Sequence, residues 1–154
     1  MAQTLSVAAQ KNPFMDGTGP FTLVIDWQSD SSGNVSKKIA STYTTAQALL
    51  SSCPPAPVKV QGILMTVETI PGLYGDKATT CPSQYGLTIL DAYGLDILAG
   101  GGATRSASVA EKYIVSGTHL EIDSELTVTI ASAGDTKTGR IIMEFKELGY
   151  VKVN

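Results

Sequence analysis

The chain has 154 residues, enough for one domain with a proper core and too few for two comfortable ones. Only 16% are charged and the formal net charge is −3 with no basic block, so the clustered Lys and Arg that displace counterions from phosphates are missing, which argues against nucleic-acid binding. A surface so poor in charge must be built largely from hydroxyls and small side chains, which suits β-sandwiches and assembly interfaces.

Met1 to Pro20 is small, polar and punctuated by Asn12-Pro13 and Asp16-Gly-Thr-Gly-Pro20. It reads as an extended arm (residues 1–20); a floppy terminus is weighed against docking onto the body or onto a neighbouring subunit, since Phe14-Met15 is an odd pair to leave in water. The arm has neither a basic start nor a continuous apolar core, and no run elsewhere approaches the roughly 20 apolar residues that cross a bilayer. The expectation is a protein made in the cytosol with no membrane partner.

Phe21 to Gln28 alternates Phe21, Leu23, Ile25 and Trp27 against Thr22, Val24, Asp26 and Gln28, the period of a half-buried strand. Ser29-Asp-Ser-Ser-Gly33 turns the chain, and Asn34 to Tyr43 is expected as a hairpin partner with Lys37 guarding an edge. Thr44-Thr-Ala-Gln47 has capping-box spacing, so Ala46 to Ser52 is the one decent helix candidate before Cys53-Pro54-Pro55 stops it. Val58 to Ile70 is a long apolar run that changes phase between Val60 and Ile63, and a bulge at Gly62 explains the slip. Pro71 to Pro82 is a loop able to carry contacts, Tyr74 among them.

Leu87, Ile89, Leu95 and Ile97 alternate around Asp91-Ala-Tyr-Gly94 and read as a short hairpin. Gly100-Gly-Gly102 follows, then a strand over Ser108 to Val115, although Ser108-x-x-Glu111 leaves a helical turn open. From Leu120 to Ile130 the even positions are Leu, Ile, Ser, Leu, Val, Ile and the odd ones Glu, Asp, Glu, Thr, Thr; Ile141, Met143 and Phe145 resume after Ser132 to Gly139, so a β-hairpin is expected. The body is thus residues 21–148. Residues 149–154, with Tyr150 and Val151, are a tail or last strand able to pair with another subunit's edge.

No catalytic signature stands out. The glycine triplet is followed by Ala-Thr-Arg, not by the Lys-Ser/Thr of a phosphate loop, and reads as a hinge or a tight passage between strands. His119 is the sole histidine and has no nucleophile elbow to serve, so a hydrolase ranks third among the readings. Cys53 and Cys81 are the only cysteines and lack zinc spacing; a disulfide between them is weighed against two unpaired thiols, and the thiols are preferred. Glu121, Asp123 and Glu125 share one strand face at roughly 7 Å spacing, too spread for one ion cage, and read as a solvated or intersubunit face. No catalytic, metal or cofactor residue is assigned. Trp27, Tyr74, Tyr85 and Tyr93 are the aromatics open to a sugar-binding reading, though Trp27 fits the core better.

The block YGLTILDAYGLDILAGGGATRS (Tyr85–Ser106), continuing to LTVTIASAGDTKTGRIIMEF (Leu126–Phe145), resembles small virion structural proteins of tailed bacteriophages. The matching pattern is D-x-x-G-x-D-x-L-x-G, a Gly-Ala-rich passage, and L-T-V-x-I-A-x-A-G-x-x-x-x-G-R-I, over about the C-terminal half. The resemblance implies a β-sandwich acting as a head decoration or cement protein on the capsid exterior, with the major capsid protein as partner and a homotrimer as the simplest self-association. The fold expected is all-β: one antiparallel, jelly-roll-like sandwich of about eight strands with an N-terminal arm. Phe14, Met15, Tyr74, Glu121, Asp123, Tyr150 and Val151 are the candidate interface residues. The alternatives are a carbohydrate-binding or receptor-recognising module of a phage tail or fibre, and a head-tail adaptor.

Overall fold

The computed structural model describes residues 3–11, 21–39, 59–72, 80–114 and 120–146. Among them the fold is all-β and antiparallel, with no helix. The strands are β1 (Thr4–Lys11), β2 (Phe21–Gln28), β3 (Val35–Lys38), β4 (Lys59–Pro71), β5 (Gly86–Leu90), β6 (Glu111–Ile114), β7 (Leu120–Glu125), β8 (Thr127–Ala131) and β9 (Thr138–Lys146). The larger sheet runs β1-β2-β9-β4-β6, with β7 also on β4; the smaller runs β3-β8-β5. β4 is long enough to pair β7 along Lys59–Leu64 and β6 along Thr66–Thr69, while β9 lies along its other side.

Side-chain alternation puts one face of each sheet into a shared core. Leu23, Ile25 and Trp27 of β2, Ile141, Met143 and Phe145 of β9, and Leu64 and Val67 of β4 meet Leu87 and Ile89 of β5 and Val128 and Ile130 of β8. Fully burying each such side chain stabilises the fold by about 1.5–3 kcal/mol. Trp27 packs on Tyr85 across the sheets, ring centroids 5.3 Å apart and inclined at 57°. Its cross-strand neighbour is Gly139, where a Cβ would come within 2.5 Å of the indole. The glycine lets the ring lie directly on the β9 backbone.

Several expected pairings are different. β2 and β3 are consecutive but belong to different sheets, so they are not a hairpin. The run from Leu120 to Ile130 is two strands: β7 ends in the larger sheet, Leu126 is buried at the crossing, and β8 starts in the smaller one. β8 and β9 are likewise in different sheets, and the segment between them crosses the end of the sandwich. Alternation continues through the Leu126 crossing because an inward-facing residue stays inward whichever sheet it serves, whereas between β8 and β9 it lapses and resumes in the other phase. The slip in β4 is not at Gly62, which keeps register opposite Ile122; it falls between Leu64 and Thr66, leaving Met65 exposed as the bulged residue. Glu111–Ile114 is strand, not helical turn.

Thr4–Lys11 of the arm lies along β2 as the outer strand of the larger sheet, with a register shift between Val7 and Ala9. Phe14, Met15, Tyr74, Tyr150, Val151, Cys53, His119 and the helix candidate Ala46–Ser52 lie outside the described residues. Cys81 is a buried, free thiol.

Candidate docking surface

Two turns in the chain have one construction. At Asp30-Ser-Ser-Gly33-Asn34, the Asp30 amide donates to the Asn34 carbonyl (3.0 Å) and the Gly33 amide to the Asp30 carbonyl (3.1 Å). The Asp30 carboxylate Oδ1 accepts the amides of Ser32 (2.9 Å) and Asn34 (3.0 Å). At Asp91-Ala-Tyr-Gly94-Leu95 the same four bonds recur: Asp91 N to Leu95 O (2.9 Å), Gly94 N to Asp91 O (3.1 Å), and Tyr93 N and Leu95 N to Asp91 Oδ1 (both 2.9 Å). Gly33 and Gly94 take left-handed φ of 81° and 83°. This is a three-residue connection closed by a left-handed glycine and braced by an aspartate side chain.

The second turn is held from outside as well. The Ala92 amide donates to Ser124 Oγ (2.8 Å) at the end of β7. Directly after it, Asp96 accepts the amides of Leu98 (3.0 Å) and, weakly, Ile89 (3.3 Å) on Oδ1, and of Gly100 (2.9 Å) on Oδ2. The D-x-x-G-x-D-x-L-x-G pattern is therefore a folding device: Asp91 and Asp96 brace backbone, Gly94 and Gly100 take left-handed φ, and Leu98 fills the core. On this rigid base Tyr93 is 95% exposed and Leu95 64% exposed. Leu95 was expected to point inward; the turn closes on it and leaves it in solvent, while Ile97 is the residue that reaches the core.

The glycine triplet has a second task. Leu87 N donates to Gly102 O, Ile97 N to Ile89 O, and Tyr85 and Arg105 exchange both backbone bonds, so residues 97–105 cover the free edge of β5. A Cβ on Gly102 would lie 2.1 Å from the Leu87 carbonyl oxygen, so this close passage admits only glycine.

Of the expected interface residues, Glu121 and Asp123 lie within the described structure, exposed on β7. The strand that carries them also anchors the Tyr93 turn through Ser124. Trp27 and Tyr85 are each 1% exposed and offer no ring face to a sugar; Tyr93 does. In the sequence Tyr93 reads both as a turn residue and as one of the aromatics open to a sugar. The signal that marks it is the repeated Asp-x-x-Gly-x spacing at 30–34 and 91–95, which places residues 93 and 95 outside the strands.

A polar group lies inside the sandwich near the other face of β5. The Tyr85 hydroxyl, Thr69 Oγ1 and Arg105 Nε are buried without hydrogen-bond partners, and Arg105 Nε stands 3.8 Å from Glu111 Oε2, an ion pair too long for a hydrogen bond. Burial raises the Tyr85 phenol, with the Cys81 thiolate adding to the rise. The Thr69 hydroxyl tempers it without meeting the phenol in hydrogen-bonding geometry. Burial also pushes the Cys81 thiol up to about 11, against the pull of its backbone hydrogen bond and Lys137. A thiol so protonated is a poor nucleophile. Among the described residues no three His, Cys, Asp or Glu side chains converge to hold a metal, and no helix is long and apolar enough to cross a membrane.

The architecture and site define a two-sheet, antiparallel all-β protein with a braced apolar turn projecting from one end. No protein family, curated protein or solved structure matches the chain.

Proposed function

We propose that the protein is a non-enzymatic virion structural protein, a capsid decoration or cement protein that bridges major capsid subunits on the particle exterior. The observation that carries this reading is the Tyr93–Leu95 turn: two large apolar side chains held in solvent on a backbone already fixed by Asp91 and Ser124. Pre-ordering a contact lowers the entropy cost of docking, and a tyrosine anchor is a common centre of binding energy. Many copies of a modest contact then hold a shell through multivalency. The strand order β2-β9-β4-β7 facing β3-β8-β5, in which consecutive strands repeatedly change sheet, supports the jelly-roll reading that the phage resemblance implies.

The test is co-sedimentation of the purified protein with capsids that lack it. Wild type is expected to bind, and Tyr93→Ser combined with Leu95→Asn to lose at least about tenfold in affinity. Failure of the wild type to bind, with none found in particles by mass spectrometry, would sink the proposal. Glycan-array binding that depends on Tyr93 would move it to a receptor-recognising fibre module.

A further inference from the structure

The two sheets end in strands whose open edges are treated very differently. On β5 the edge is covered by residues 97–105. On β3 it carries the exposed Lys37 and Lys38, Lys38 paired with Glu125 at 2.9 Å, and the Ser36 amide is already taken by the Gln3 side chain. On the far side of β4, β6 begins Glu111-Lys112 and β7 carries Glu121, Asp123 and Glu125. Charge and cover are the usual means by which sheets avoid pairing with other chains.

β1 has neither. It is eight residues long, bears no charge from Thr4 to Gln10, and among the described residues pairs on one side only, with β2. Seven uncharged strand residues in a row with, among the described residues, no partner along the outer side are a pairing template. The bulge between Val7 and Ala9 limits the straight segment to Thr4–Val7.

We infer that β1 is a self-association edge, pairing antiparallel with β1 of a second copy about a two-fold axis through Ser6. Ser6 then lies opposite Ser6 of the second copy and Leu5 opposite Val7, which share a face of the sheet, so no charges are apposed, and the two larger sheets become one continuous sheet. Each Lys11 falls beyond the paired segment, far from its counterpart. A rotational trimer would instead need β1 to meet a different edge of its neighbour, and each of the other edges is charged or covered. A two-fold, self-complementary contact asks only for the one edge that is open among the described residues. The inference stands apart from the virion reading, since it concerns the protein alone.

Sedimentation equilibrium of the full chain over a range of concentrations, with hydrogen–deuterium exchange at the low and high ends, tests it. A monomer–dimer equilibrium is expected, with the amides of Thr4–Val7 slowing only where dimer forms. Ser6→Lys, which brings two lysines together across the axis, is expected to weaken association at least about tenfold while leaving the unfolding midpoint near wild type. Tyr93→Ser is expected to leave association unchanged. A monomer at every concentration, a trimer, or a dimer in which Thr4–Val7 exchanges as fast as in the monomer would each overturn the inference. The exchange measurement needs no variant, so a misfolded Ser6→Lys protein would not protect it.

Discussion

The turns at Asp30–Asn34 and Asp91–Leu95 share backbone, hydrogen bonds and glycine conformation, yet differ in what they present. The first is stapled to the crossing between β8 and β9: Gly33 O accepts the Ala133 amide, Asp30 O accepts the Thr136 amide at a longer 3.3 Å, and Ser29 Oγ donates to Gly134 O at 2.6 Å. Its tip residues are serines. The second has open space around Gly94 and carries Tyr93 and Leu95 where the first has Ser32 and Asn34. Because Ser32 and Asn34 build the same turn, folding does not require Tyr93 and Leu95. Their placement in solvent calls for a reason outside the fold.

This comparison can be broken most sharply at the two glycines. Gly33→Ala adds left-handed strain and drives a methyl group to 2.7 Å from the Gly134 amide nitrogen, so it should cost about 3 kcal/mol or more. Gly94→Ala has the same strain with nothing within 4 Å, and should cost only about 1 kcal/mol in urea unfolding. Equal costs would mean the first turn is not stapled. Next in size, Asp91→Ala removes two hydrogen bonds to exposed amides and is expected to lower stability by about 1–2 kcal/mol, and with it the rigidity of the Tyr93 tip.

The double change Tyr93→Ser and Leu95→Asn converts the second tip into the first. Its unfolding free energy should stay within about 0.5 kcal/mol of wild type while particle binding falls; a large loss of stability would show that the side chains serve the fold. A control away from both turns is Tyr85→Phe. Removing an unpartnered buried hydroxyl should be neutral or stabilising by up to about 1 kcal/mol.

Alkaline pH offers a last, small effect. The Cys81 thiol is harder to ionise in the folded chain than in the unfolded one, so ionisation favours unfolding. That stability is present below pH 9 and lost as pH rises from about 9 towards about 11. Tyr85, raised as well, adds loss above its ordinary value near 10. Cys81→Ala should flatten the fall in melting temperature at the lower end of this window.

The sequence made the faces of the strands legible because alternation reports which side of a strand is oily. Leu23, Ile25 and Trp27 were read correctly from it, as were Ile141, Met143 and Phe145. Pairing was not legible, since the same alternation runs unbroken through Leu126 while the chain changes sheets. Ser124 is the one trace: a half-buried hydroxyl in an otherwise oily row, donating to Glu125 O and receiving the Ala92 amide just before the crossing. The phase slip in β4 was visible, but a glycine drew it to residue 62 when the exposed residue was Met65. In the docking surface the turn itself was read from Asp91 and Gly94; what stayed hidden was that Leu95 closes the turn, because its spacing from Leu87 and Ile89 also fits a strand.

The position of β9 bears on how the protein is made. Its residues are late in the chain, yet it lies between β2 and β4, with Phe21 opposite Phe145 and Asp26 held by Arg140 through a two-point ion pair of 2.7 and 2.9 Å. During synthesis β2 and β4 therefore wait without their shared neighbour until Thr138–Lys146 has left the ribosome, and contacts this distant in sequence close slowly. For that interval the two oily strands are sticky towards any other chain. Assembly of the larger sheet is in this sense a final step, and a protein cut short before β9 would be expected to aggregate and not to linger as a folded fragment.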